Sequence, residues 1–192
     1  MINIEGSFKK ISPDELKNIL KRGGIDFSQW GKGGTKTLNH LQKEIENGEC
    51  ALIIGKQGEV LREVVIARAN IFYISKEGKK YRLKEEKQVF KDGRKRRRNL
   101  KYSLNEKVKI GENIKEAMIR GIKEELGIEG DLSLKEIGIE EETEDSPSYP
   151  GLKSHYIYHN FEVSLNDQQF NPNGYIEDQE DKTTYFIWEE IT

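Results

Sequence analysis

The chain has 192 residues, a formal net charge of -2 and a single cysteine, Cys50. That length predicts one domain, or one domain with a substantial extension. The near balance of 32 basic and 34 acidic residues excludes a global polycation that coats nucleic acid, although it leaves room for a local basic patch. One cysteine excludes a disulfide scaffold and a cysteine-based zinc cluster, and it is typical of a reducing cytosol, so we expect a cytoplasmic protein.

The first residues, MINIEGSFKKISPDELK, lack the apolar core of a signal peptide. No run approaches the roughly 18 apolar residues that a membrane span needs. We therefore expect no membrane partner.

Two helices are predicted in the first fifty residues. Ser12 precedes Pro13 as an N-cap, and the helix should end at Gly23-Gly24. An amphipathic pattern over 37–47 predicts the second helix, which Gly48 ends. Between them, the glycines and lysine of 31–34 lack P-loop spacing and follow no strand, which favours a flexible joint over a phosphate loop. We interpret residues 1–50 as an N-terminal helical extension.

The rest of the chain alternates strand patterns with one helix. A helix is predicted over 113–126, ended by Gly127. Apolar, β-branched and aromatic runs predict strands over 51–54, 60–74, 81–91, 154–163 and 183–189. The turn signal Asp92-Gly93 predicts a hairpin whose second strand runs over 94–102. This order predicts an α/β (α+β) layered domain over residues 51–192.

The helix over 113–126 carries unusual carboxylates. Glu124 and Glu125 lie near its C-terminus, where the helix dipole disfavours negative charge. Arg120, four residues before Glu124, can offset part of that charge. A hard divalent cation such as Mg²⁺ or Mn²⁺ would offset more of it. Spacing alone leaves both a metal site and a solvated acidic face open, and it favours the latter.

The stretch 106–128, EKVKIGENIKEAMIRGIKEELGI, resembles the box of the Nudix hydrolase superfamily. That pattern is Gly, any five, Glu, any seven, Arg-Glu, aliphatic, any, Glu-Glu, any, Gly, aliphatic. Seven of its nine fixed positions match, and the matching residues are Glu112, Arg120, Ile122, Glu124, Glu125, Gly127 and Ile128.

The resemblance implies a mixed β-sheet sandwiched between helices. It also implies a metal-dependent pyrophosphohydrolase that cleaves a phosphoanhydride bond in a nucleoside diphosphate linked to another moiety. In that interpretation Glu112, Glu124 and Glu125 hold Mg²⁺ or Mn²⁺, and Arg120 orients Glu124. The alternative is a catalytically degenerate module that binds a nucleotide or an ADP-ribose-like ligand.

Two positions depart from the box: Glu106 replaces its first glycine, and Gly121 replaces the glutamate after the arginine. A glycine inside a helix costs about 1 kcal/mol relative to alanine, so position 121 is expected to need room. Our hypothesis is that the two changes are linked and that Glu106 supplies the missing catalytic carboxylate. Decay of the catalytic site into a binding site is the rival explanation.

Further candidates lie outside the box. Arg96 and Arg98, in the run Arg94–Arg98, are predicted to contact substrate phosphates. RNA binding, a targeting signal and a charged hairpin edge are the alternatives for this run. Tyr149 is a candidate to stack on a base, although its Pro-rich segment also fits a simple turn. Glu180, in the acidic segment 177–181, is a candidate base. We expect a small-molecule nucleotide as partner rather than a nucleic acid, and an RNA-interacting protein that uses the basic run is a third interpretation. The sequence leaves a homodimer open.

Overall fold

The computed structural model describes residues 11–55 and 57–191. The N-terminal segment 1–10, for which no signal peptide was predicted, lies outside the described residues. The helices are α1 (Pro13–Arg22), α2 (Leu38–Glu46) and α3 (Ile114–Leu126). The strands are β1 (Ala51–Ile54), β2 (Val60–Ile74), β3 (Lys80–Phe90), β4 (Lys95–Arg96), β5 (Leu104–Lys107), β6 (Ser133–Asp145), β7 (Lys153–Leu165), β8 (Tyr175–Asp178) and β9 (Lys182–Ile191). None of the helices in the described residues is long and apolar enough to cross a membrane.

The N-terminal helices begin where the sequence predicts. The Ser12 hydroxyl accepts the Glu15 backbone N–H, and the Glu15 carboxylate accepts the Ser12 N–H at 3.0 Å, which completes a capping box. Thr37 and His40 form the same reciprocal pair at the start of α2. The predicted helices over these residues are therefore confirmed.

The strands form one mixed sheet in the order β6-β7-β2-β3-β9-β8. β1 and β5 pair with β2, and β4 pairs with β3. β3 is antiparallel to both β2 and β9. Side-chain contacts between β2 and β7 keep a constant separation of 92 residues, at Arg62–Ser154 and Arg68–Asn160, as parallel neighbours require. The predicted α+β class with a mixed sheet is confirmed.

The predicted strand over 94–102 is wrong for most of its length, since only Lys95 and Arg96 pair with β3. The chain then crosses to β2, where the Ser103 N–H donates to the Ala69 carbonyl at 2.9 Å. The Ser103 hydroxyl fixes this crossing: it donates to the Leu83 carbonyl of β3 and accepts the Ile71 N–H of β2 at 3.1 Å.

Three strands, β5, β6 and β8, were not predicted. β6 is exposed at all but one of its 13 positions, so it lacks the apolar alternation of a half-buried strand. β8 occupies the first half of the acidic segment 177–181, which was predicted as a loop. Only Gln179 to Asp181 remain as the turn between β8 and β9.

The described residues form two compact units that interleave along the sequence. The first contains the described residues up to 66, with 107–112 and 140–158. Its apolar core joins α1 and α2 to β1, the start of β2 and the segment around Tyr149. The units therefore do not divide at residue 50, because the two N-terminal helices share their core with later parts of the chain.

The second unit contains 67–106, 113–139 and the described residues from 159 onward. Its largest ladder pairs β3 with β9, and a bulge between Glu85 and Lys87 shifts the register within it. β8 pairs with β9 and lies against α3. This unit carries most of the predicted site residues.

Candidate functional site

Helix α3 has well-defined ends. The Asn113 side chain accepts the backbone N–H groups of Lys115 at 2.9 Å and Glu116 at 3.3 Å. Gly127 adopts the left-handed conformation with φ 66°, and its N–H donates to the Lys123 carbonyl. The buried side of the helix consists of Ala117, Met118, Gly121, Ile122 and Leu126.

The two residues that depart from the box are in contact. Glu106 lies on β5, and its side chain passes directly over Gly121. A Cβ atom at position 121 would come within 2.9 Å of both Cβ and Cγ of Glu106. No alanine or glutamate fits at position 121 unless the stem of Glu106 moves. The room that the helix glycine was expected to provide is therefore occupied by the Glu106 side chain.

Arg120 connects this pair to the end of the helix. Its Nη1 donates to Oε1 of Glu106 at 2.7 Å and to Oε2 of Glu124 at 3.4 Å. The second contact is the i, i+4 pair predicted from spacing, and the Glu124 side chain is 61% exposed. Arg120 thus holds the Glu106 carboxylate beside α3. The negative charge of Glu106 contributes to the raised pKa of Glu125.

Glu125 is the most perturbed carboxyl group of this unit. Burial, together with the negative charges of Glu177, Glu106 and Glu85 and against the opposing charge of Arg98, raises the pKa of Glu125 to about 8. Glu125 lines a cleft of about 190 Å³. The cleft is lined by Glu85, Gln88, Arg98, Leu100, Ser103, Leu104, Asn105, Glu125, Glu177, Gln179, Lys182, Thr184 and Phe186. It therefore brings carboxylates together with basic and amide donors.

The wall opposite the helix is built from paired polar side chains. Arg98 donates from Nε to Oε1 of buried Glu85 at 2.9 Å and from a second nitrogen to the other oxygen. These bonds raise the pKa of Arg98 above its ordinary value. Gln88 donates to Glu85 at 3.2 Å and accepts from Nε of Arg96 at 2.9 Å. The hydroxyl of Thr184, also in the lining, is buried without a hydrogen-bond partner in the described structure.

The predicted arginines differ in position. Arg98 lines the cleft, whereas Arg96 contacts it only through Gln88. Both guanidinium groups are held by side chains of β3. A phosphate would therefore meet Arg98 already oriented by Glu85.

Three other predicted site residues lie outside this cleft. Glu180 is exposed in the turn after β8, while Glu177 lines the cleft in its place. Glu112 belongs to the first unit, where its carboxylate accepts the Lys109 N–H at 2.9 Å. Tyr149 also belongs to the first unit and is fully buried, with its ring 5.0 Å from that of Trp30. That burial leaves Tyr149 no free ring face on which a base could stack, so its role is in the core.

Sequence reasoning missed Glu85 and Gln88, and within the acidic segment 177–181 it singled out Glu180 and not Glu177. Alternation along β3 places Glu85 on the same side as buried Leu83, which was an available signal. The bulge after Glu85 then carries Gln88 to that side, and no sequence pattern indicated the bulge.

A hard divalent cation requires several oxygen ligands close together. Within residues 11–55 and 57–191, no three His, Cys, Asp or Glu side chains are gathered as a ligand set. The chemistry of the donors nevertheless fits, because Mg²⁺ and Mn²⁺ prefer carboxylate oxygens and the repulsion around Glu125 would be relieved by a cation. The cleft thus offers carboxylate oxygens of the kind that Mg²⁺ and Mn²⁺ prefer, although the described residues do not form a complete ligand set.

Comparisons with known proteins show distant resemblance only. No protein-family profile matches the chain, and no curated protein matches it in sequence. Among solved structures, a C. elegans Ap4A hydrolase is 19% identical, with 66% of this chain and 80% of that chain covered and a TM-score of 0.38. A T. brucei MERS1–RNA complex is 16% identical, with 87% and 64% covered and a TM-score of 0.33. These TM-scores are too low to carry an argument about function.

Proposed function

We propose that this chain is a Nudix-type hydrolase that cleaves a phosphoanhydride bond in a nucleoside diphosphate linked to another moiety. The observation that carries the proposal is the contact between Glu106 and Gly121. This contact supports the proposal because the Glu106 side chain fills the space beside the box position that has lost its carboxylate. Arg120, which binds Glu106, and the cleft lining with Glu125 supply the surrounding chemistry.

Each proposed site residue has a distinct role. Glu124 and Glu125 hold Mg²⁺ or Mn²⁺, and a ligand role for Glu112 stays a prediction from the box resemblance. Once bound, the cation would neutralise charge on the phosphate oxygens and lower the pKa of water. Arg120 orients Glu106 and Glu124 through the two hydrogen bonds already described.

The remaining roles concern the substrate and the proton. Arg98, braced by Glu85, donates to phosphate oxygens, and Arg96 supports Gln88 in the same wall. Glu106 accepts the proton of the attacking water. Glu177 is the alternative base because it lines the cleft, whereas the exposed Glu180 stays a prediction from the sequence.

A product screen tests this proposal: cleavage of the phosphoanhydride bond by water yields a nucleoside monophosphate and the phosphorylated second moiety, which anion-exchange chromatography separates and measures. The protein is incubated with Mg²⁺ or Mn²⁺ and with nucleotide sugars, ADP-ribose, dinucleoside polyphosphates or nucleoside triphosphates. Turnover should be lost in the Glu124→Gln/Glu125→Gln variant and in Glu106→Gln. Glu116→Gln is the matched control, since Glu116 is an exposed residue of the same helix outside the cleft. Calorimetric titration with Mn²⁺ adds a readout independent of turnover, and equal Mn²⁺ affinity in all four proteins would contradict the metal assignment.

The second candidate function is a binding module without catalysis. It is favoured by one observation, namely that the carboxylates are not gathered as a ligand set among the described residues. A nucleotide or ADP-ribose-like ligand would then raise the melting temperature without being consumed, because binding to the native state alone stabilises it. Stabilisation with no product across the whole panel would favour this function over hydrolysis.

A further inference from the structure

The turn between β3 and β4 concentrates positive charge. We use the name basic hairpin for residues 91–99, every one of which is exposed. It contains six basic residues (Lys91, Arg94, Lys95, Arg96, Arg97, Arg98) and one acidic residue, Asp92, so its net charge is +5. Since the whole chain carries -2, the remainder carries -7. The basic hairpin is therefore a local positive feature on an otherwise acidic chain.

The basic residues differ in how far they are neutralised. Arg96 and Arg98 are held by β3 side chains, and Arg94 binds Asp92 at 2.7 Å. Lys95 contacts no carboxylate among the described residues. Arg97 is 76% exposed, with a single carboxylate oxygen at 3.6 Å. Lys95 and Arg97 thus remain available to an external anion.

The kind of partner follows from what the basic hairpin lacks. No large apolar side chain is exposed within 91–99, so it offers nothing to insert into a bilayer or to bury against an apolar protein surface. The neighbouring Phe90 is covered by the guanidinium groups of Arg94 and Arg96, whose carbons lie 5.0 and 5.4 Å from the ring centre. Arginine and lysine in water-exposed positions fit a phosphate chain, whose condensed counterions are released on binding.

We propose that the basic hairpin binds the phosphate backbone of a single-stranded nucleic acid. The cations follow one another along a short exposed segment, which suits a single strand, whereas a duplex-binding protein presents a helix or a broad face to a groove. Along the chain, Lys95 and Arg97 are followed by Arg98, which lines the cleft. This inference concerns binding, goes beyond the proposed hydrolysis and does not depend on it.

The sequence predicted that the run 94–98 forms a regular strand and contacts phosphate, with RNA binding as a less favoured interpretation. In the structure only two of its residues pair with β3, so the remainder is not part of a sheet ladder. Residues 97–99 are exposed outside that ladder, which leaves their side chains accessible to an extended anion.

Fluorescence anisotropy with a 20-nucleotide labelled oligouridine tests the inference, at salt concentrations from 0.03 to 0.3 M. Lys95→Gln/Arg97→Gln is the test variant. Lys76→Gln/Lys79→Gln is the matched control, because it removes the same charge from the turn at the other end of β3. Each phosphate contact changes the logarithmic salt slope by about 0.7, so the test variant should lose about 1.4 units of slope. At 0.1 M salt that corresponds to roughly 25-fold weaker binding.

Three outcomes would overturn the inference. The first is no binding of the oligonucleotide to the wild-type protein at 0.03 M salt. The second is an equal loss of oligonucleotide affinity in the test and control variants, which would indicate nonspecific electrostatic binding. The third is binding to vesicles of phosphatidylserine and phosphatidylcholine with none to the oligonucleotide, which would assign the basic hairpin to a lipid surface.

Discussion

The effect of Gly121→Ala on the free energy of unfolding should have opposite signs in the wild-type protein and in a variant that lacks the Glu106 side chain. Gly121 lies inside α3 and is not among the glycines with positive φ, so alanine would ordinarily stabilise the helix by about 1 kcal/mol. In this protein the added methyl group would lie 2.9 Å from Cβ and Cγ of Glu106. Those atoms are close to the β5 backbone and cannot swing away as a side-chain tip can. Overpacking of this kind costs about 1–3 kcal/mol, so Gly121→Ala should destabilise the wild-type protein by up to about 2 kcal/mol.

A double-mutant cycle isolates the effect. In a Glu106→Gly background the obstructing side chain is absent, and Gly121→Ala should then stabilise the protein by about 1 kcal/mol. The coupling free energy between the two positions is therefore expected to be about 1–3 kcal/mol. Urea denaturation in the presence of a chelator measures all four proteins without any contribution from bound metal.

The result that would refute this reasoning is simple. If Gly121→Ala stabilises both backgrounds equally, the two positions do not compete for space. The exchanged variant Glu106→Gly/Gly121→Glu extends the test, because it moves the carboxylate back to the helix. Under the proposed function, this variant should retain turnover in the product screen, whereas Glu106→Gly alone should not.

Three further predictions concern stability. Burial alone would raise the pKa of Glu44, but the hydrogen bond from Lys36 and the charge of Arg62 lower it to about 2, so its contribution is present above pH 4.5 and is lost as the pH falls toward 2. Glu44→Gln removes the carboxylate that pairs with buried Arg62, so it should lower the free energy of unfolding by about 3 kcal/mol at pH 7 in urea denaturation. An unchanged midpoint would contradict the ion-pair assignment. Gly174→Ala should cost about 2–4 kcal/mol by the same assay, because φ is +76° and its Cβ would meet the Phe186 carbonyl oxygen; full stability would show that this approach is not tight. The pKa of Glu125 in the folded protein lies above its ordinary value of 4.5, so without metal its ionisation lowers the free energy of unfolding as the pH rises from 4.5 to 8. Glu125→Gln should therefore be more stable than wild type by about 2 kcal/mol at pH 9 and equal to it at pH 4. Equal stability at both pH values would contradict the burial argument.

The sequence predicted elements whose signals are local. Helix α3 is specified by Asn113 and Gly127, because caps satisfy backbone groups within one turn. Strands with a buried face, such as β2 and β9, showed β-branched and aromatic runs. β6 could not be recognised in this way, since an exposed edge strand is held by backbone hydrogen bonds that leave no apolar pattern.

The candidate site was predictable in part for the same reason. Glu106, Arg120, Glu124 and Glu125 lie within one stretch of fixed spacing, so their proximity follows from one loop and one helix. Glu85 and Glu177 come from β3 and β8, and only the sheet order brings them to the same cleft. The role of Tyr149 could not be read locally, because its contacts with Trp30 join residues 119 positions apart along the chain, as the ring pair shows.

The interleaved course of the chain has a consequence for how this protein is made. The apolar sides of α1 and α2 pack with Tyr149 and Leu152, which leave the ribosome more than a hundred residues after the helices do. During synthesis the leucines of those helices therefore stay exposed until most of the chain has been translated and their packing partners are present. Contacts between such distant segments slow folding and prolong exposure to aggregation. The nascent chain is therefore expected to depend on chaperones that cover α1 and α2 until residue 152 has emerged from the ribosome.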